Sequence, residues 1–124
     1  MDNKLKVFLI EDVARIRAIL IEILQRSGEI DVVGFAEGQT DALNQLRSTE
    51  WDVAIVDISL RDGNGLAILS NLQRDGKSYG ERIVFTCNPS TEMKARSLAL
   101  GASAFFDKSR DMDSLVRHIQ GIEH

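Results

Sequence analysis

A single cysteine, Cys87, rules out a disulfide within the chain and fits a reducing compartment. No apolar run approaches the roughly 18 residues of a membrane-spanning helix, and the opening Met1-Asp-Asn-Lys-Leu-Lys6 does not form a signal peptide. The expected location is cytoplasmic, with no membrane partner. Basic residues are outnumbered, 15 Lys and Arg against 19 Asp and Glu, and the resulting charge of −4 argues against direct nucleic-acid binding by this chain. Proline occurs once, at Pro89, and there is no Pro/Ser-rich linker, low-complexity tract or sequence repeat. What remains is one ordinary globular domain over residues 1–124, with 44% hydrophobic and 27% charged residues. That length buries roughly two-thirds of the unfolded surface in a single core.

The chain is organised around Val53-Ala-Ile-Val-Asp57, four apolar residues that end abruptly in an acid. A short unbroken apolar run predicts a strand buried on both faces, as in a parallel sheet covered by helices. The Gly and Asn residues of Ile58-Ser-Leu-Arg-Asp-Gly-Asn-Gly65 then mark a loop. Val7–Ile10, Ile30–Ala36, Ile83–Phe85 and Ala104–Phe106 predict four further strands. Between them lie helical periodicities. Ile16, Ile19, Leu20, Ile23 and Leu24 share one face until Ser27-Gly28, and Thr40 is the expected N-cap of a helix through Ala42, Leu43 and Leu46. Leu66, Ile68, Leu69 and Leu72 form a third helix; Ser90 caps a fourth with Met93, Leu98 and Ala99, stopped by Gly101; Met112, Leu115, Val116 and Ile119 line a fifth. Strand and helix alternate five times, which implies parallel strands joined by right-handed crossovers in a three-layer α/β sandwich.

Parallel strands open their carboxyl ends on one edge, where such sheets place ligands. Glu11 and Asp12, Asp57, Thr86 and Lys108 stand just after, or at, successive strand ends and are expected to converge. Three close carboxylates repel unless one is protonated or a hard cation neutralises them. Oxygen ligands with open positions suit Mg2+. An ammonium and a hydroxyl suit phosphoryl oxygens, and a carboxylate beside them can act as nucleophile, so the parts form a phosphoryl-transfer site. Taken singly, each residue has a plainer reading. Glu11 and Asp12 serve as acids favouring a helix N-terminus, Asp57 as a helix-capping loop acid, Lys108 as a solvated lysine, and Thr86 as a satisfied hydroxyl. Phe105 and Phe106 read equally as alternating strand residues.

Together, and in this order and spacing, these residues resemble the receiver domain of two-component response regulators, of the chemotaxis-regulator type, from Lys6 to about Ile122. The acidic pair Glu11-Asp12, Asp57, Gly65 eight residues on, Thr86, Gly101-Ala102 and Lys108 carry the resemblance. It implies a flavodoxin-like fold with five strands ordered 2-1-3-4-5. It further implies that Asp57 takes a phosphoryl group from a sensor histidine kinase or phosphotransfer protein. Mg2+ would be held by Asp12, Asp57 and the main-chain carbonyl of Ser59, with Glu11 acting through water. Thr86 and Lys108 would hold the phosphoryl oxygens, and Phe105 takes the place of a switch aromatic that alters a surface met by a downstream effector protein or domain. Such a domain catalyses only its own phosphorylation and dephosphorylation.

The departures carry expectations too. Arg61 replaces a common proline, which predicts a less rigid loop after Asp57. Ser109 replaces another, so the Lys108–Ser109 peptide is expected to be trans, cis costing about 3–4 kcal/mol without proline. Ser59 and Asn88 occupy positions that tune dephosphorylation, and neither is a strong base. Cys87 is expected in the core, His118 exposed on the last helix, and Trp51 at the edge of the core. Three other readings of the chain are a phosphorylation-independent docking module, an aspartyl-phosphate phosphohydrolase and a flavin-binding module. The phosphohydrolase lacks its second acid, Ser59 standing there, and the flavin module meets an acidic first loop instead of a Gly-rich phosphate loop.

Overall fold

The computed structural model describes residues 3–87 and 89–122. Its elements run β1 (Leu5–Ile10), α1 (Ala14–Gln25), β2 (Ile30–Ala36), α2 (Gln39–Ser48), β3 (Val53–Val56), α3 (Gly65–Arg74), β4 (Glu81–Thr86), α4 (Thr91–Ala99), β5 (Ala104–Asp107) and α5 (Met112–Gln120). All strand pairs are parallel and the sheet order is β2-β1-β3-β4-β5, the flavodoxin-like arrangement. Every residue of β3 is buried, as its unbroken apolar run requires. Among the described residues no helix is long and apolar enough to cross a membrane.

Two cores sandwich the sheet. Phe8, Ile10, Ala54 and Val56 point toward α2, α3 and α4, while Val7, Leu9, Val53 and Ile55 point toward α1 and α5. Alternation continues into β5, where Phe105 joins the first core and Phe106 the second. Trp51 closes the first core at its edge, its indole N–H donating to the Leu46 carbonyl at 2.9 Å and its ring stacked on Tyr79.

Several sequence expectations need correction. Ile19 is 42% exposed, because the buried stripe of α1 runs through Arg17, Leu20 and Leu24 and leaves residue 19 on its outer side. Leu98 is 43% exposed, and the buried residue of α4 is Ser97, whose hydroxyl donates back to the Met93 carbonyl. Thr40 is no N-cap. The cap is Gly38, two residues earlier, and the Gln39 N–H at the start of α2 donates to the Asp62 carbonyl at 2.9 Å. Cys87 is exposed, not core, because β4 ends at Thr86 and the chain bends away. His118 is half-buried, its ring edge-on to Phe106 and its Nε2 3.9 Å from Glu81. Ser90 does cap α4, accepting from the Met93 N–H, and Gly101 ends that helix region at φ +102, a conformation that suits glycine.

Candidate functional site

The strand ladders themselves assemble the site. The Glu11 N–H donates to the Ala36 carbonyl, the Asp57 N–H to that of Ile10, and the Lys108 N–H to that of Thr86. Each residue thus extends its strand's pairing by one step, and the acids and the lysine emerge side by side on one edge. Gly65 lets α3 start directly against this edge. A Cβ there would lie 2.4 Å from the Asp57 carbonyl oxygen and 2.9 Å from the Ile58 Cα, so any larger residue displaces the loop that carries Asp57.

Lys108 lies between two acids. Its Nζ is 2.7 Å from Asp57 Oδ2 and contacts Glu11 Oε1, with the three side chains only 7%, 6% and 2% exposed. Burial pushes the carboxyls of Glu11 and Asp57 above their ordinary range, an effect the bonds to Lys108 only partly offset. Burial also pulls the lysine down, but its bonds to Asp57 and Glu11 outweigh that and hold its ammonium above the usual lysine value. The asymmetry has a simple cause: one cation is shared by two acids, so the cation is fully compensated and each acid is not.

Asp57 Oδ1 accepts from the Ser59 N–H at 3.2 Å, and Asp12 Oδ2 accepts from the Arg61 N–H at 2.8 Å. One carboxylate oxygen from each of Glu11, Asp12 and Asp57 falls within 4.8 Å of the others. Three such oxygens in a half-open cluster fit a hard divalent cation whose remaining positions are filled by water or phosphate. Thr86 is fully buried at the end of β4, opposite Asp107 in the register, and Phe105 is half-buried opposite Val84. The structure therefore brings together Glu11, Asp12, Asp57 and Lys108, with Ser59 bonded to Asp57 and Thr86 bonded to the backbone of Lys108. Phe105 stands off, lining a shallow hollow with Ser90, Lys94 and Arg110. Asn88 lies outside the described residues. A larger open cleft of about 760 Å³ runs between α3 and α4 beside Ser59. The carboxylates and the lysine lie on the strand edge, outside that cleft.

Three contributors escaped the sequence reading. Arg17 is buried and donates to the Glu11 carbonyl at 2.7 Å; it also reaches Glu37 at 3.4 Å and covers the Phe35 ring at 4.1 Å. Its signal was an arginine set among the apolar positions of α1. Asp107 is buried and accepts from both the N–H and the hydroxyl of Ser109, at 2.9 and 2.7 Å, which holds its carboxyl below the usual range. Asp-Lys-Ser after a strand is the spacing of an Asx turn, and this turn presents Lys108 without proline. The Lys108–Ser109 peptide is trans, there being no cis peptide among the described residues. The third contributor is the Arg61 N–H. Where a looser loop was expected, the donor that proline would lack ties that loop to Asp12.

A doubly wound parallel sheet here carries an acid cluster and a lysine at the ends of β1, β3 and β5, the edge on which such folds place their ligands. Residues 7–120 match the response regulator receiver domain family, and the chain belongs to that family, the receivers of two-component signalling. It is 29% identical over 117 residues to the DNA-binding transcriptional activator DevR/DosR of Mycobacterium tuberculosis, a match covering 94% of this chain and 54% of the relative. It is 30% identical over 108 residues to protein-glutamate methylesterase/protein-glutamine glutaminase 2 of Vibrio vulnificus, covering 87% of this chain and 31% of that one. The chain thus spans about half or less of the length of these curated relatives. Among solved structures, a Francisella response regulator receiver domain superposes with TM-score 0.85 at 22% identity, covering 94% of each chain. A CheY-like receiver from Methanospirillum hungatei gives 0.83 at 23%, covering 95% of this chain and 92% of that one. At these identities the structural likeness speaks for the fold.

Proposed function

We propose that Asp57 is the phosphoacceptor of this receiver domain, residues 1–124 acting as one signalling unit in the cytoplasm. The observation that carries the reading is the Lys108 ammonium held between the buried Asp57 and Glu11 carboxylates at the central strand's end. An Asp57 oxygen attacks the phosphorus of a phosphohistidine on a sensor kinase or phosphotransfer protein. The O–P bond forms, the P–N bond breaks, and the electron pair leaves with the donor imidazole. Asp12, Asp57 and the Ser59 main-chain carbonyl would hold Mg2+, with Glu11 acting through water. When bound, the ion neutralises charge building on the phosphoryl oxygens. Lys108 neutralises a second oxygen, and the Thr86 hydroxyl donates to a third. The domain catalyses only its own phosphorylation and, by attack of water on the acyl phosphate, its own dephosphorylation. The phosphorylated form presents an altered surface to an effector protein or domain.

The reading requires the metal. Uptake of phosphoryl groups from acetyl phosphate should proceed with millimolar Mg2+ and fall at least tenfold when the ion is chelated, because Lys108 alone faces both acids and the incoming phosphate. An uptake rate unchanged by chelation removes the metal role of Asp12. A protein that takes up no phosphate under either condition, yet still binds a partner, is a docking module instead.

A further inference from the structure

Glu11 and Asp12 are neighbours in the chain, yet each brings a carboxylate oxygen to the cluster, within 4.8 Å of the other's and of that of Asp57. In a continuing strand two successive side chains point to opposite faces. The chain must therefore turn at the peptide that joins them. The Glu11 N–H still belongs to the ladder, donating to the Ala36 carbonyl, but β1 ends at Ile10 and the Glu11 carbonyl lies past it. That carbonyl accepts from Arg17 Nη1 at 2.7 Å. The guanidinium reaches back from the first turns of α1 and is gripped by residues at the end of β2. It lies 4.1 Å over the Phe35 ring, and its Nη2 is 3.4 Å from Glu37 Oε1. Buried and held in this way, Arg17 is a fixed donor aimed at the one peptide that sets the direction of both acids.

We infer that Arg17 is a positioning residue for the metal site: its bond to the Glu11 carbonyl holds the Glu11–Asp12 peptide in the orientation that directs both carboxylates to a divalent cation beside Asp57. The inference rests on the metal reading above and adds a residue to it. Arg17 itself touches neither the cation nor the phosphate. Its contact with Glu37 is dispensable, being a long pair to a side chain that is 64% exposed. Removing an outer partner of this kind typically costs 10- to 100-fold in metal affinity. The sign of the effect is informative. By charge alone, taking a cation away from beside three acids would strengthen Mg2+ binding, so a fall in affinity reads lost positioning.

The test is a calorimetric titration of Mg2+ alone into the parent, Arg17→Met and Glu37→Gln, each at a urea-checked folded condition. Methionine keeps an apolar stem and removes the donor. Affinity should fall at least about tenfold in Arg17→Met and stay near the parent's in Glu37→Gln. A second readout needs no variant. Coupling between two sites is reciprocal, so saturating Mg2+ should slow exchange of the Arg17 guanidinium protons in the parent by at least about tenfold. If Arg17→Met fails to fold, this comparison decides alone. Affinity in Arg17→Met equal to or above the parent's, a loss as large in Glu37→Gln, or guanidinium exchange unchanged by Mg2+ overturns the inference. A parent that binds no Mg2+ instead overturns the metal reading on which it rests.

Discussion

Lys108→Met is expected to cost about 3–5 kcal/mol of stability at neutral pH in metal-free protein, the usual penalty for removing one partner from a buried ion pair. Methionine matches the length of the lysine stem, so packing changes little. What changes is that Glu11 and Asp57, nearly inaccessible to solvent, face each other with no cation between them. The penalty should depend on pH, with a definite sign. Both carboxyls already sit above their unfolded values through burial. An acid raised in this way binds protons more tightly in the folded state. It stabilises the fold below its unfolded pKa, near 4, and that contribution is lost as pH rises through the folded pKa. Without Lys108 the acids rise further, so the loss deepens toward neutrality. Lys108 itself, raised above 10.5, contributes fully below that value and loses its contribution only as pH climbs through the folded pKa. Urea unfolding at about pH 5 and about pH 7.5 should therefore show a small deficit at the lower pH and the full deficit at the higher. A deficit of equal size at both would mean that the lysine matters through its methylenes and not its charge.

Thr86→Ala should uncouple phosphorylation from response. Phosphorylation adds up to two negative charges beside Asp57. A threonine hydroxyl drawn toward them gains a charge-assisted hydrogen bond of about 1.5–3 kcal/mol, equivalent to a tenfold or greater bias. Thr86 is fully buried, so its movement leaves space on its outer side, and Phe105 stands on the adjacent strand with an open hollow beside it. The ring can enter the vacated space and change the surface of α4, β5 and α5. Phenylalanine has no hydroxyl to anchor it outward, so the change is expected to be a population shift, with a small inward bias even before phosphorylation. In the alanine variant, labelling should persist while the spectral changes of α4 and α5 on phosphorylation shrink about tenfold. Changes as large as the parent's would remove Thr86 from the signal path.

The fold was legible because its signals were periodic and redundant. β3 announced itself by four apolar residues ending in an acid, and β2 matched its expected span of Ile30–Ala36 to the residue. The differences within the helices share a cause, which is that apolar character does not fix facing. Ile19 and Leu98 are apolar yet turned outward, while Arg17 and Ser97 occupy inner positions because a carbonyl waits for each of their donors. Cys87 was misplaced by extending strand alternation one residue past the strand's end. At the site, side chains with chemistry of their own could be named in advance, since strand-end position and residue type both mark them. Main-chain contributors could not. The Arg61 N–H acts through an atom every residue but proline carries, and only the fold shows which acid receives it. Asp107 is intermediate: its Asx-turn spacing to Ser109 is present in the sequence, but the lysine between them carries the stronger chemical signal.

The measurement that bears most directly on the central claim is intact-mass analysis after incubation with acetyl phosphate and Mg2+, run on the parent and on Asp57→Asn side by side. Asparagine preserves the size of the side chain and can still meet Lys108, but it has no carboxylate oxygen with which to attack phosphorus. One labile phosphoryl group on the parent and none on Asp57→Asn is the predicted result. Equal labelling of both would contradict the assignment of Asp57 and, with it, the role given to Lys108.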